Sequence, residues 1–343
     1  METLLKVKGL VDVEDRRVVP DAFVLWRDGR IVLVGPREAA PEGFPEEWTL
    51  DYSENYLLPG LINCHAHLCL ASNGRPFYHH QSDHEALLRA VVNMQTELRS
   101  GVTTIRDCGD QNGVLFSLRA AMKEGFLPPG PRLILCGPPL TMTGGHAGFL
   151  GGVADGPDDL ARAVRQRIKD GADFIKIIAT GGGTPGTFPA LASYSEAEIR
   201  SVVETAHRLG KQTTAHCRGI PGVANALAAG VDWIEHSCFE LPDGRLKFNL
   251  PLAEKMAAAG TIVTPTIQLF RDGWANLKQK KEKGVLSPAE EVDLALYPDV
   301  LAEKFKALKA FVKLGVRCVA GNDAGLPFTG YGCFWKELEA MVA

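Results

Sequence analysis

The stretch LLPGLINCHAHLCL, residues 57–70, has the apolar composition of a buried strand but carries two histidines, His65 and His67, in its second half. Side chains at positions i and i+2 of a strand point the same way and lie roughly 6.6 Å apart. Two imidazoles that converge in this way can chelate one metal ion. The alternative is a pair of core histidines that bind separate partners, and the rest of the chain must decide between the two.

From Pro59 onward the chain alternates strand-like and helix-like segments. The strand candidates are GLINCHAH, VTTIRDC, PRLILCG, DFIKIIA, QTTAHC, DWIEHS, TIVTPT and VRCVAGND. Eight β/α alternations over residues 59–343 predict an α/β fold, the (β/α)8 TIM barrel. A doubly wound open sheet is the alternative, but it favours a glycine-rich phosphate loop after the first strand, which here ends in histidines. The polar stretch 271–298 is interpreted as a mobile excursion between two strands.

Residues 1–58 have a different pattern, with short segments in which apolar and polar residues alternate. AFVLWRDGRIVLVG is typical of a β-hairpin, with RDGR at residues 27–30 as its turn. The segment is too small to bury a core of its own. We therefore predict a small β unit over residues 1–58, forming part of a composite β domain, ahead of the barrel.

Composition excludes several classes of protein. The net charge is -4 with both signs mixed along the chain, so no basic stripe for nucleic acid and no polybasic membrane tail is present. No apolar run reaches the roughly 18 residues of a membrane span, and the N-terminus lacks the pattern of a signal peptide. The 8 cysteines form no CxxC pair, which favours free thiols. We expect a cytoplasmic protein that acts on a small-molecule substrate, and we leave open whether it forms a homo-oligomer.

Four further strand candidates carry residues that can ligate a metal. Lys176 lies within strand four, His216 and His236 near the ends of strands five and six, and Asp323 after strand eight. A lysine inside the apolar run DFIKII is costly to bury unless it serves a purpose. Its alternatives are a buried ion pair or a side chain that reaches the rim. Each residue alone has an ordinary explanation, but such residues on five strands, at one end of a barrel, indicate a single metal site.

The same segments resemble the amidohydrolase superfamily of metal-dependent hydrolases. The matching pieces are LLPGLINCHAH, SGVTTIRDCGD, TMTGGH, DFIKIIATGGG, AHCRG, VDWIEH and AGNDAG, and they extend along the whole chain. They are similar to the subgroup with a lysine on strand four, which includes imidazolonepropionase-like and prolidase-like enzymes. In that subgroup the lysine is carboxylated by CO2 and bridges two divalent metal ions.

The resemblance implies a ligand set. His65, His67 and Asp323 are expected to hold one ion, His216 and His236 the other, and carboxylated Lys176 to bridge them. Zinc is the expected metal, because imidazole and carboxylate ligands suit it. The resemblance further implies that a metal-bridging hydroxide attacks the substrate carbonyl.

Catalytic roles are expected for two residues. Asp323 is the expected general acid and base, which takes the proton of the hydroxide and passes it to the leaving nitrogen. His146, in TMTGGH after strand three, is expected to donate a hydrogen bond to the developing oxyanion. Its alternative is a loop histidine that packs on the barrel mouth.

Besides His146, two further residues are candidates for substrate contact. Arg218 lies two residues after His216, where some prolidase-like relatives carry tyrosine. It could bind a substrate carboxylate through two hydrogen bonds, or it could form a structural ion pair. Tyr78, in the loop after strand one, could line the pocket or belong to the surface. Arg106 and Asp107, in TTIRDCG, are interpreted as structural residues of the barrel mouth.

The predicted function is hydrolysis of a C–N amide bond in a dipeptide, an N-acyl amino acid or a related small amide. A lactonase or phosphotriesterase on the same metal centre is one alternative, and a non-catalytic metal-binding remnant is another. A mononuclear deaminase is disfavoured, because such enzymes do without the strand-four lysine. Members of this family usually add C-terminal strands to the N-terminal β unit. This chain stops at Ala343, so we expect those strands to be truncated or absent.

Overall fold

The structure is a computed structural model that describes residues 2–72 and 81–342. The chain divides into two compact units, Met1–Leu61 and Ile62–Ala343. The sequence pattern places the boundary between residues 58 and 59. Tyr78, a candidate pocket residue, lies outside the described residues.

The first unit contains a four-stranded sheet in the order β3-β2-β1-β4. Its strands are β1 (Glu2–Asp12), β2 (Arg17–Arg27), β3 (Arg30–Pro36) and β4 (Thr49–Leu57). β2 pairs antiparallel with β1 and β3, and β4 pairs parallel with β1. Asp28 and Gly29 form the β2–β3 turn with φ values of 49° and 76°. Positive φ at both turn residues is the geometry that Asp-Gly favours in hairpins, as the sequence predicts.

The second unit contains the eight predicted strands of the barrel. They are β5 (Leu61–Ala66), β6 (Val102–Asp107), β7 (Arg132–Leu135), β8 (Phe174–Ile178), β9 (Gln212–Gly219), β10 (Trp233–Glu240), β11 (Ile262–Thr264) and β12 (Arg317–Cys318). They form two ladders, β5-β6-β7 and β8-β9-β10-β11-β12. The pairings β6–β7, β8–β9, β9–β10, β10–β11 and β11–β12 are parallel.

Backbone hydrogen bonds join the two ladders at both ends. Leu140, after β7, donates its N–H to the carbonyl oxygen of Lys176 on β8 at 2.8 Å. His67, after β5, donates to the carbonyl oxygen of Ala324, after β12, at 2.8 Å. These bonds complete a ring, and the predicted (β/α)8 barrel is confirmed.

Helices alternate with the strands. They are α1 (Asp83–Arg99), α2 (Val114–Lys123), α3 (Gly156–Asp170), α4 (Glu196–Arg208), α5 (Ile220–Ala229), α6 (Leu250–Ala259), α7 (Ile267–Glu282), α8 (Pro288–Leu314) and α9 (Trp335–Val342). A capping box precedes three of the helices, with Ser82, Ser195 and Ser287 as the N-cap residues of α1, α4 and α8. In each, the serine side chain accepts from the backbone N–H of the third helical residue, a glutamate, whose side chain accepts from the serine backbone N–H. None of the helices in the described part of the chain combines the length and apolarity that crossing a bilayer requires.

The interpretation of residues 271–298 as a mobile excursion is wrong. The segment contains most of α7 and the start of α8. α7 begins in the apolar stretch before it, and Ile267, Phe270 and Leu277 are buried at helical spacing. The polar positions that suggested an excursion form the outer side of this helix.

Candidate metal centre

Four histidines converge on one side of the barrel ring. The ring centroids of His65 and His67 are 5.3 Å apart, and those of His65 and His236 are 5.0 Å apart. The rings of His236 and His216 are separated by 4.6 Å. His65, His216 and His236 are buried. Strands β5, β9 and β10 therefore bring together the four histidines singled out in the sequence.

Each of these rings has one nitrogen bound to the surrounding protein. The contacts are His65 Nδ1 to Glu235 Oε2 (2.8 Å), His67 Nδ1 to Gly109 O (2.8 Å), His236 Nδ1 to Thr266 Oγ1 (2.9 Å) and His216 Nε2 to Gly181 O (3.1 Å). A carbonyl oxygen can only accept, so the rings of His67 and His216 donate there, and in the neutral form of each ring the second nitrogen is the unprotonated one. Metal-binding histidines typically show this arrangement, because the outer partner fixes the ring and its tautomer.

Asp323 completes one group of donors. Its Oδ1 lies 3.4 Å from Nε2 of both His65 and His67. Burial raises the pKa of Asp323, but the two histidines outweigh it and hold the pKa at about 2. Oδ1 is buried and accepts no hydrogen bond from the described residues. The three residues could hold one metal ion, since their donor atoms lie within 4.8 Å of one another.

Lys176 on β8 is buried, with 3% of its surface exposed. It therefore does not reach the rim, which was one alternative reading of its position. The other alternative was a buried ion pair. Across residues 2–72 and 81–342, no carboxylate lies within salt-bridge distance of its ammonium. Neither ordinary reading of this lysine describes its surroundings.

A carboxylate beneath the histidines is held by a buried arginine. Glu235 Oε1 accepts from Arg106 Nη1 at 2.7 Å, and the Arg106 guanidinium lies 4.0 Å and 4.3 Å from the ring centres of Phe174 and Trp233. Burial raises the pKa of Glu235, but Arg106 and then His65 outweigh it and hold the pKa well below its usual range.

Glu235 was not among the residues singled out in the sequence. The signal was present, because an acid in DWIEHS and an arginine in VTTIRDC each interrupt an apolar strand. Charges in such runs are rarely fully buried unless they are paired. The ion pair with Glu235 agrees with the interpretation of Arg106 as a structural residue. Glu235 could have been identified as its partner, because a second charge in a buried strand needs a partner of opposite sign.

His146 packs against the site from the loop after β7, with its ring centroid 4.7 Å from that of His216. Its Nδ1 lies 2.8 Å from Thr184 Oγ1 and accepts from Thr184 N–H at 3.3 Å. Burial, and then the charge of Arg218, lowers the pKa of His146 to about 3, so the ring is neutral with its proton on Nε2. Gly182 gives the ring its space, since a Cβ there would lie 2.5 Å from it.

These residues face a cavity of about 300 Å3. All of the predicted metal ligands line it, namely His65, His67, Lys176, His216, His236 and Asp323, and so does His146. Phe149, Phe270 and Phe328 supply apolar surface. Arg218 also lines the cavity, but its Nη2 lies 2.7 Å from Glu240 Oε2. Arg218 thus has both features proposed for it, an ion pair and access to the cavity.

The profile of the amidohydrolase family matches residues 56–343. This chain belongs to the amidohydrolase family. Amidohydrolases typically bind divalent metal ions, and the residues present fit such ions. Within residues 2–72 and 81–342, the buried Asp323 Oδ1 lacks a hydrogen-bond donor, and a cation would satisfy it.

Known amidohydrolase structures and sequences extend the comparison. The chain superposes on a crystal structure of a Xaa-Pro dipeptidase with bound methionine, with a TM-score of 0.83 and 28% identity, covering 100% of this chain and 84% of that one. A prolidase complexed with N-methylphosphonate-L-proline gives a TM-score of 0.78 and 27% identity, with 97% and 80% covered. Ochratoxinase of Aspergillus niger is 27% identical over 261 residues, 66% of this chain and 53% of the enzyme. The chain thus spans about half the length of that curated relative.

Proposed function

We propose that this amidohydrolase is a binuclear metal-dependent hydrolase that cleaves a C–N amide bond in a small substrate, such as a dipeptide or an N-acyl amino acid. The observation that carries the proposal is the convergence of six potential ligands on one cavity. The similarity to a dipeptidase, a prolidase and ochratoxinase supports the choice of a C–N bond.

Two groups of donors would hold the ions. His65, His67 and Asp323 would bind one, and His216 and His236 the other. Zinc suits these ligands, and when bound such ions polarise a carbonyl oxygen and activate water at neutral pH. The buried imidazoles are suited to ligation, because burial lowers the pKa of His216 and His236 well below the usual range and keeps both rings neutral.

Lys176 would bridge the two groups as a carbamate. An ammonium carries no lone pair and cannot ligate a cation. The neutral amine can form an N–C bond with CO2 and release a proton, which gives an anion with two oxygen donors. Among the described residues, no carboxylate lies within salt-bridge distance of Lys176, so an ammonium there would be costly to bury. Carboxylation would replace that ammonium with an anionic ligand, which offsets the charge of the ions.

Proton transfer would fall to Asp323. Its carboxylate is ionised, and Oδ1 faces the cavity between the histidines. It could therefore take a proton from the attacking water and deliver it to the leaving nitrogen, which leaves as the amine. Among the proposed ligands, Asp323 is the one whose side chain is a carboxylate, whereas the anionic oxygens at Lys176 would come from CO2.

His146 would stabilise negative charge that develops on the carbonyl oxygen. A neutral ring with its proton on Nε2 can donate one hydrogen bond, and Thr184 fixes its orientation from the other side. Such a donor contributes most when it is held in place before the reaction begins.

The cavity favours a substrate with an apolar side chain and a carboxylate. Phe149, Phe270 and Phe328 would contact the apolar part. Arg218 would bind the carboxylate, and its buried Nε has no hydrogen-bond partner among the described residues. We therefore favour N-acyl amino acids and dipeptides over amides that lack a free carboxylate.

The decisive experiment measures hydrolysis by the zinc-loaded chain, followed by amine release for the amides and by acid release for the other substrates. Dipeptides and N-acyl amino acids are compared with the same compounds in which the carboxylate is replaced by an amide, and with a lactone and a phosphotriester. We expect cleavage of the carboxylate-bearing amides, lost on chelation and restored by zinc. Turnover of the lactone or phosphotriester alone would show that the chain is an esterase-type hydrolase and not an amidase. A chain that holds two ions and cleaves nothing would indicate a non-catalytic metal protein.

A further inference from the structure

Lys304 on α8 is a second buried lysine, with 3% of its surface exposed. Its Nζ donates to the carbonyl oxygens of His236 and Pro265, both at 2.6 Å, and lies 3.8 Å from Cys238 Sγ. The face of the Phe270 ring is 4.9 Å away. In the described part of the chain, the ammonium is therefore held by carbonyl dipoles, a thiol and a ring, with no carboxylate at salt-bridge distance.

A buried ammonium without a counter-ion is an expensive feature, and stability alone does not explain it. Other lysines of α8, such as Lys306 and Lys309, are exposed. The two carbonyl oxygens that Lys304 joins belong to different elements, His236 to the middle of β10 and Pro265 to the segment after β11. The pairing of β10 with β11 stops at Glu235 and Thr264, directly before these two residues. Lys304 thus connects the two neighbouring segments just past the point where their described backbone pairing ends.

Both of these segments have an unfavourable backbone conformation. His236, Ser237 and Thr266 have φ values of 67°, 47° and 48°, in the left-handed region that non-glycine residues rarely adopt. Each such residue costs roughly 1–3 kcal/mol and persists where the surrounding structure enforces it. The hydrogen bonds of Lys304 to the carbonyls of His236 and Pro265 are placed to enforce these conformations.

The same carbonyls are coupled to the imidazole of His236. Thr266 Oγ1 donates to the Pro265 carbonyl oxygen at 2.8 Å, so it accepts from His236 Nδ1–H at 2.9 Å. This fixes the tautomer with an unprotonated Nε2. The carbonyl that receives the Thr266 hydroxyl is also a partner of Lys304.

We propose that Lys304 is a positioning residue for the metal centre, which sets the orientation and tautomer of His236 by joining the carbonyl groups of His236 and Pro265. The inference rests on the proposed role of His236 as a metal ligand. Lys304 acts behind the ligand and does not itself touch metal or substrate.

The test compares Lys304→Met with wild type and with Lys309→Met, a matched change at an exposed position of α8. Zn2+ and Co2+ affinities are measured by competition with a chromophoric chelator, and bound ions are counted by elemental analysis. We expect Lys304→Met to bind the weaker of its two ions about 10- to 100-fold less tightly, as for other outer partners of ligands, while Lys309→Met matches wild type. The Co2+ absorption spectrum should change in Lys304→Met alone.

Thermal unfolding of the metal-free proteins separates positioning from general stability. Lys304→Met removes the cost of a buried ammonium but leaves the His236 carbonyl oxygen without its lysine donor, so the metal-free variant should unfold close to the wild-type temperature. Unchanged metal affinity, with or without a lower unfolding temperature, would overturn the proposal. If Lys304→Met fails to fold, Lys304→Gln takes its place, and failure of both to fold, with or without Zn2+, would also overturn it.

His236→Ala distinguishes this inference from the proposed function. If His236→Ala loses an ion and Lys304→Met does not, the positioning role is wrong and the metal centre stands. If His236→Ala keeps both ions at wild-type affinity, the ligand set itself is wrong, and the inference fails with it.

Discussion

At the scale of single residues, the site is organised by the groups that hydrogen-bond to the outer side of each proposed ligand. Gly109 and Gly181 accept from the rings of His67 and His216 through backbone oxygens, which cannot act as donors. The tautomers of these rings are therefore fixed before any ion binds. Preorganisation of this kind depends on partners that are far apart in sequence. The contribution of each proposed ligand can therefore be tested by a separate mutation.

Lys176→Ala should lose metal and activity together, because the proposed bridge between the two donor groups is removed. A short carboxylic acid such as acetate should restore part of both, by replacing the carbamate. Lys176→Arg should not recover either property, because a guanidinium cannot form a carbamate or ligate a cation. Elemental analysis and turnover are measured on the same preparations, with the exposed Lys169→Ala as control. Full metal content and activity in Lys176→Ala would show that the lysine is structural.

Asp323→Asn should separate ligation from proton transfer. The amide keeps a neutral oxygen donor and the shape of the side chain but cannot act as a base. We expect most of the metal to remain while kcat falls by about 10²–10⁴-fold, the usual contribution of general acid–base catalysis. His216→Ala should lose metal first, and activity as a consequence. If Asp323→Asn retains its metal and turns over within a few-fold of wild type, the proton carrier lies elsewhere and His146 is the next candidate.

Glu235→Gln should weaken metal binding although Glu235 is not itself a proposed ligand. Glutamine cannot accept from His65 and pair with Arg106 as the carboxylate does, so metal affinity should fall about 10- to 100-fold. The unpaired Arg106 should also reduce the free energy of unfolding by about 3–5 kcal/mol.

The double variant Glu235→Gln/Arg106→Met separates these two effects. Methionine between the rings of Phe174 and Trp233 removes the unpaired charge, so stability should return. Metal affinity should remain low, because His65 still lacks its carboxylate. Chemical denaturation and chelator competition measure the two quantities. Recovery of metal affinity together with stability would mean that Glu235 acts through the fold alone.

The ligand candidates could be predicted from the sequence, because strand periodicity and barrel topology place His65, His216 and His236 at one end of the ring. Their outer partners could not be predicted in the same way. The Lys304 contacts depend on how α8 packs over β10 and β11, and no local pattern determines that packing. Substrate contacts depend on loop conformation, as the ion pair of Arg218 with Glu240 illustrates.

At the scale of elements, α9 stabilises the start of α7. Glu337 on α9 is buried and accepts from the backbone N–H groups of Ile267 and Gln268, which begin α7. The first N–H groups of a helix lack partners within it, so this carboxylate satisfies two of them. α7 was not predicted, because its first turn is apolar and directly follows the short β11, whereas its later residues are polar.

Glu337 should make stability depend on pH. Burial raises the pKa of Glu337 to about 7, although the two N–H groups and Lys304 lower it and Asp272 adds to the increase. The folded state therefore holds a proton that the unfolded state has lost between about pH 4.5 and pH 7. The favourable contribution is complete below about pH 4.5 and is lost as the pH rises through 7.

Glu337→Gln removes this titration, so its measurement tests the assignment. From pH 5 to pH 8, the free energy of unfolding of wild type should fall relative to that of Glu337→Gln. Urea denaturation at both values measures it, with the exposed Glu339→Gln on the same helix as control. The same difference at both pH values would show that the pKa of Glu337 is not raised.

At the scale of the whole molecule, the proposed ligands connect parts of the barrel ring that are remote in sequence. His65 and His67 belong to the first ladder, whereas Lys176, His216 and His236 belong to the second. Asp323 follows β12 and donates its backbone N–H to the carbonyl oxygen of His65 at 2.9 Å, at one junction between the ladders. Metal ions in this site would therefore hold the two ladders together.

Removal of metal should lower the stability of the barrel as a whole. An ion that binds the folded state alone adds RT ln(1 + [L]/Kd), about 4 kcal/mol when free metal is 1,000 times Kd. The chelated protein should therefore unfold at a lower temperature, and the unfolding temperature should rise with each step of a Zn2+ titration. Lys176→Ala and His236→Ala should respond much less to Zn2+, because each lacks one proposed ligand. Differential scanning calorimetry of wild type and both variants, each with chelator and with Zn2+, checks this. A rise in both variants equal to that of wild type would show that Zn2+ stabilises the fold from a different site.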